Sequence, residues 1–119
     1  MIEKGSVLML ALICDDLAED RRVIAEYCDR YGEEKKIKLR TLQFENAGAL
    51  LQSKDAISAH VLFLDIYMEG ASGIDAAKIF RGRGYKGTLI FTTTSREHYA
   101  EGFDLAAAHY LVKPITWDL

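Results

Sequence analysis

Four short stretches carry groups able to do chemistry. They are the acidic pair Asp15-Asp16 after an apolar run, Asp65 at the exit of "VLFLD", the run Thr92-Thr93-Thr94, and Lys113 before Pro114. Asp65 makes the strongest demand, because desolvating a carboxylate at the end of so apolar a segment is costly unless something compensates. If Asp15, Asp16 and Asp65 converge, each raises the others' pKa. A hard divalent cation relieves that repulsion: Mg²⁺ takes oxygen ligands, keeps several waters and pairs with phosphoryl groups. The ammonium of Lys113 would add a second positive charge, and a threonine hydroxyl could bond the same anionic oxygens. Such a set suits phosphoryl transfer to a carboxylate, with Asp65 as the attacking group.

Each group also has a plainer reading. A single aspartate at a strand end commonly caps a helix, a lysine before proline is commonly solvated, and a threonine run suits a strand by propensity alone. Four such groups at the same end of four different strands are a poor fit to separate accidents.

The elements that would position them alternate along the chain. Residues 7–14 form an apolar run. Residues 18–31 carry Val23, Ile24, Tyr27 and Tyr31 at helical spacing, with Asp16 as N-cap and Gly32 as terminator. "IKLRTLQF" (37–44) has strand character, and 46–53 reads as a short helix with Leu50 and Leu51 inward. Residues 60–65 form a strand. Residues 73–83 form a helix with Ile74, Ala77 and either Phe80 or Ile79 on one face, closed by Gly82 and Gly84. A strand over 88–94, a helix over 96–106 and a strand over 108–112 complete the series. Apolar strands alternating with helices predict an α/β fold, a five-stranded parallel sheet covered on both faces as a doubly wound three-layer sandwich. Periodicity leaves the strand order open. Ligand sites in such sheets lie at the carboxyl ends of the strands, where the order reverses. In the order 2-1-3-4-5, the first and third strands would meet there and bring the three carboxylates together.

Composition narrows the function classes. A chain of 119 residues fits one domain. Its net charge of -3 argues against a nucleic-acid surface within the chain. The apolar run over 6–14 is too short to span a membrane and enters Asp15-Asp16 with no small-residue cleavage site. Cys14 and Cys28 have neither CxxC nor Cys/His spacing and read as buried free thiols, which fits the cytoplasm. His60, His98 and His109 share no ligand spacing.

The pieces "ICDD" (13–16), "LFLDIYMEGASGIDAAKIFR" (62–81), "LIFTTT" (89–94) and "HYLVKP" (109–114) together resemble the receiver domain of two-component response regulators, from Leu8 to Leu119. The phrase "LIFTTT…EHYAEGFDLAAAHYLVKPI" is similar to receivers that precede a LytTR-type DNA-binding domain in Gram-positive bacteria. The resemblance implies a flavodoxin-like fold of order 2-1-3-4-5 and a single receiver domain over 1–119, with residues 1–8 an N-terminal extension. It implies that Asp65 is the phosphoacceptor for a histidine kinase. It also implies that Asp15, Asp16, Asp65 and the backbone carbonyl of Tyr67 hold Mg²⁺, and that Thr93 and Lys113 hold the phosphoryl oxygens. Tyr110 would be the aromatic switch that follows Thr93, and the Lys113-Pro114 bond would be cis. The partners implied are a histidine kinase and a second copy of the chain, docked through the face of Tyr99, Phe103 and Tyr110. DNA would be reached only through a further output domain.

Three positions depart from the family pattern. Glu69 stands at a usual proline, Thr94 at a usually small residue, and the sequence ends at Leu119, where the family's last helix begins. The last point predicts a piece of a longer regulator, with most of its final helix missing, apolar sheet surface uncovered and Trp117 packed on the sheet. Two other readings compete. One is a Mg²⁺-dependent phosphohydrolase with an aspartate nucleophile, disfavoured because Tyr67 stands where a second acid is usual. The other is a degenerate receiver that binds partners without phosphorylation, opposed by the complete set of site residues.

Overall fold

The computed structural model describes residues 8–68, 70 and 72–116. Five strands, β1 (Leu8–Cys14), β2 (Lys38–Phe44), β3 (Val61–Asp65), β4 (Thr88–Thr93) and β5 (His109–Val112), alternate with α1 (Ala18–Lys35), α2 (Ala47–Gln52), α3 (Gly73–Gly82) and α4 (Tyr99–Asp104). The strands form one parallel sheet in the order β2-β1-β3-β4-β5. The sequence expectation of a doubly wound sheet therefore holds, and the order left open by periodicity is the one in which β1 and β3 are neighbours.

Alternation along the central strands divides the core into two. Leu12, Leu62 and Leu64 pack with α2 and α3 residues such as Leu50, Ile74 and Phe80. Ala11 and Ile13 pack with Ile24 and Cys28 of α1, flanked by Phe63 and Ile115. On the α1 side a cleft of about 430 Å³ runs over Met9, Phe63, Ile90 and Leu111 among the described residues. Both cysteines are buried and unpaired, and burial, then the neighbouring Asp15, pushes the Cys14 thiol up to about 12.

Several element boundaries differ from the sequence expectation. Helix α1 runs through Gly32 to Lys35, and Lys36 closes it in a left-handed conformation at φ 56°. Gly32 is a packing residue rather than a terminator: a Cβ there would lie 3.0 Å from the Ile37 carbonyl and 3.3 Å from Leu39. Asp16 does not cap α1. The N-cap is Leu17, which makes no side-chain cap bond, and its N–H bonds the Asp15 carboxylate instead, at 3.0 Å. Helix α4 covers only 99–104 of the expected 96–106, because the Ser95 hydroxyl accepts from the Glu97 N–H and Ala106 sits at φ 57°. On α3, Phe80 is buried and Ile79 is 44% exposed, which resolves the alternative between them. A 3₁₀ turn at Ala56–Ser58 had no sequence signal that was read.

Arg81 ties α3 to the approach to β5. Its guanidinium donates to the carbonyls of Tyr85, Gly87, Leu105 and Ala106 at 3.0–3.3 Å. The expectations for Glu69, Trp117 and a final helix beyond Thr116 fall on residues outside those described.

Candidate functional site

The parallel order puts the carboxyl ends of β1, β3, β4 and β5 side by side. Backbone bonds fix their levels. The Asp15 N–H bonds the Phe44 carbonyl at 3.0 Å, the Ile66 N–H bonds the Thr92 carbonyl at 3.3 Å, and the Lys113 N–H bonds the Thr93 carbonyl at 2.7 Å. Each functional side chain is thus delivered by a strand terminus anchored to its neighbour. The Lys113-Pro114 peptide is cis, as the resemblance implied.

Asp15, Asp16 and Asp65 each offer a carboxylate oxygen within 4.8 Å of the others. Asp15 is completely buried, Asp65 is 3% exposed, and Asp16 faces solvent. The Lys113 ammonium lies 2.9 Å from Asp15, 2.7 Å from Asp20 and 3.7 Å from Asp65. Burial, then the Asp15 charge, pushes the Asp65 carboxyl up to about 7, while Lys113 and the Tyr67 N–H pull the other way. At Lys113 burial works against the charge, but hydrogen bonds to Asp20 and Asp15 prevail and its pKa is raised. Three oxygen donors, one open to solvent, suit a hard cation that keeps part of its water shell.

Close approach of the chain shapes the floor of the site. A Cβ at Gly73 would fall 2.0 Å from the Asp65 carbonyl oxygen, so only glycine lets the start of α3 pass the end of β3. Thr92, paired with Asp65 across the β3–β4 ladder, is buried, and its hydroxyl has no hydrogen-bond partner among the described residues. An unmet buried hydroxyl costs stability. Thr92→Val should therefore raise the melting temperature, by the equivalent of about 1 kcal/mol. Thermal unfolding monitored by circular dichroism checks this, and a lowered melting temperature would contradict it.

Thr93 is fully buried, and its hydroxyl accepts from the Ser95 N–H at 3.4 Å. Tyr110 is half-buried, and its hydroxyl donates to the Ser95 carbonyl at 2.7 Å. The two residues named together in the sequence analysis are thus joined through one loop residue. Tyr110 also meets Tyr99 edge-on at 5.1 Å, and Tyr99 and Phe103 are 64% and 84% exposed. The Tyr67 side chain points away from the carboxylates, with its hydroxyl donating to Glu97 and its ring 5.6 Å from that of His98. Its N–H reaches Asp65 at 3.3 Å.

The structure brings together Asp15, Asp16, Asp65 and Lys113 from the sequence reading. It adds two residues that were missed, Asp20 and Gly73. Asp20 had a signal, since an aspartate in the first turn of the helix after Asp15-Asp16 lies beside the same strand ends. Gly73 had none, because its role is a distance between two backbones.

A family model for the response regulator receiver domain matches residues 12–118. The chain is 32% identical over 102 residues to the sensory transduction protein LytT of Oceanobacillus iheyensis, an alignment covering 84% of this chain and 42% of that protein. It is 26% identical over 107 residues to LytT of Bacillus subtilis, covering 90% and 43%. The chain thus spans less than half the length of these curated relatives. Among solved structures, the response regulatory domain of mrkE from Klebsiella pneumoniae superposes with a TM-score of 0.79 at 21% identity, over 92% of this chain and 86% of that one. The sheet and its strand order define a flavodoxin-like, CheY-like fold. The chain belongs to the response regulator receiver domain family. Among the described residues, no helix is long and apolar enough to cross a membrane.

Proposed function

We propose that this chain is the phosphoacceptor switch of a two-component regulator, with Asp65 as the residue phosphorylated. The observation that carries this reading is a buried Asp65 within 4.8 Å of two further carboxylates and 3.7 Å from the Lys113 ammonium. One carboxylate oxygen of Asp65 attacks phosphorus. The new O–P bond forms as the P–N bond to a histidine kinase's phosphohistidine breaks, and the bonding pair leaves with the imidazole. Mg²⁺ held by Asp15, Asp16, Asp65 and the Tyr67 carbonyl would supply positive charge opposite the transferring oxygens. Lys113 offers hydrogen-bond donors to those oxygens, and the Thr93 hydroxyl offers another. Thr94, where the family usually has a small residue, narrows the approach.

The output follows from the loop the switch residues share. A Thr93 hydroxyl drawn to the phosphoryl group gives up the Ser95 N–H, and Ser95 is also the acceptor for Tyr110. Tyr110 can then repack against Tyr99, and the exposed Tyr99 and Phe103 provide a face for a second copy. The relatives named as sensory transduction proteins are more than twice as long as the matched region, which supports an output carried outside this domain, and we read that output as DNA-binding and transcriptional. The setting of such a relay is the bacterial cytoplasm.

Acetyl phosphate tests the reading directly. Wild type should gain one phosphoryl group, about 80 Da, only with Mg²⁺ present, because the clustered carboxylates need the cation. Intact-mass spectrometry reads this, and no gain under any donor would leave a binding module as the better description. The phosphohydrolase reading would instead show steady turnover of the donor without a labelled protein.

A further inference from the structure

Asp20 is the shortest contact of the lysine around which the site is built. It comes from the first turn of α1, its side chain is 31% exposed, and its carboxylate lies 2.7 Å from the Lys113 ammonium, against 3.7 Å from the ammonium to Asp65. Asp15 takes a second bond at 2.9 Å. Two of the three ammonium protons are therefore directed at carboxylates other than the one that reacts. Beside this contact, Asp20, Val23, Lys113, Pro114 and Ile115 line a cleft of about 110 Å³, which leaves the lysine stem room to swing.

We propose that Asp20 is a positioning residue, a counter-ion that draws Lys113 toward α1 in the unphosphorylated protein and competes with the phosphoryl group for the ammonium. This inference rests on the phosphoacceptor reading and deepens it. Phosphoryl oxygens on Asp65 and the Asp20 carboxylate are rival acceptors for one cation. Asp20 also adds a negative charge next to a site that must admit an anion. Its carboxylate therefore biases the equilibrium toward the unphosphorylated form. Nothing in the Mg²⁺ cluster requires it, since Asp15, Asp16 and Asp65 are the three carboxylates that converge.

Asp20→Asn keeps the shape and removes the charge, and Asp20→Glu keeps the charge. Asp29→Asn, exposed and nine residues further along α1, controls for net charge alone. Each full-length variant is titrated with beryllofluoride, a phosphoryl analogue, at saturating Mg²⁺, and bound fluoride is followed by ¹⁹F NMR. Asp20→Asn should lower the half-saturating concentration roughly three- to tenfold, the range expected for losing one partly exposed competing ion pair. Asp20→Glu should stay closer to wild type, and Asp29→Asn should not move it. In metal-free protein labelled on lysine nitrogen, the Lys113 ammonium resonance, assigned through Lys113→Arg, should shift in Asp20→Asn.

A merely structural Asp20 would lower the melting temperature and leave beryllofluoride affinity unchanged, and that result overturns the proposal. Weaker binding in Asp20→Asn also overturns it, because Asp20 would then be holding Lys113 ready instead of holding it back. Failure of wild type to bind beryllofluoride at all would strike the phosphoacceptor reading itself, which keeps the two failures apart.

Discussion

Asp65→Asn will take up no phosphoryl group from acetyl phosphate, and the same variant will be more stable than wild type when metal is absent. The first effect follows from removing the carboxylate oxygen placed to attack between Asp15, Asp16 and Lys113, and it should exceed a hundredfold in labelling rate, in the range seen when a catalytic nucleophile is deleted. The second follows from burial. The Asp65 carboxyl is raised to about 7 by desolvation and by Asp15, against about 3.9 in an unfolded chain. The folded state therefore binds more protons than the unfolded state between about pH 4 and pH 7, and stability falls as pH rises through that window. Below it both states are protonated and the cost vanishes, whereas above it the cost is complete. Three pKa units amount to about 4 kcal/mol at most. Urea unfolding in EDTA should thus show Asp65→Asn gaining on wild type from pH 4 to 7 and holding a constant lead above. Added Mg²⁺ should stabilise wild type and close much of that lead. A stability difference flat with pH would refute the electrostatic account, and undiminished labelling of Asp65→Asn would refute the assignment of the phosphoacceptor.

Lys113→Met should have the opposite sign. Methionine keeps much of the stem's volume but leaves Asp15, Asp20 and Asp65 without the ammonium now 2.9, 2.7 and 3.7 Å away. Asp15 is completely buried, and removing one partner of a buried charge pair strands the other. A loss of about 3–5 kcal/mol is expected at pH 8 without metal. The loss should shrink at pH 5, where Asp65 is already protonated in the native state and one repulsion is gone. It should shrink also with Mg²⁺, which restores positive charge among the carboxylates. Lys113→Arg, which keeps the charge, should recover part of the stability, though its planar donors fit a three-carboxylate pocket less well. Urea midpoints at both pH values decide this, and a loss below about 1 kcal/mol would mean that solvent already screens the cluster.

The class of fold and the grouping of Asp15, Asp16, Asp65 and Lys113 were legible in the sequence, for identifiable reasons. Apolar strand runs such as "VLFLD" fit only a sheet buried on both faces. The chemistry-bearing residues stand directly after those runs, so their placement at the strand ends followed without knowing how the strands pair. Tertiary structure decided the rest. The order β2-β1-β3-β4-β5 depends on which edges meet, a property that periodicity within one strand does not carry. Gly32 carries the sequence signal of a helix terminator, yet it is a contact: its missing side chain lets α1 pack on Ile37 and Leu39 while the helix continues to Lys35. Asp16 carries the signal of an N-cap, but the strand brings the Asp15 carboxylate within reach of the Leu17 N–H and the local preference yields. Gly73 answers to a backbone 2.0 Å from where its Cβ would be. Asp20 and Lys113 are 93 residues apart in the chain, and only the docking of the segment after β5 against α1 makes them a 2.7 Å pair. Local sequence encodes the burial pattern and the groups available for chemistry. Which charge answers which is fixed by contacts distant in the chain, and those exist only once the sheet has closed.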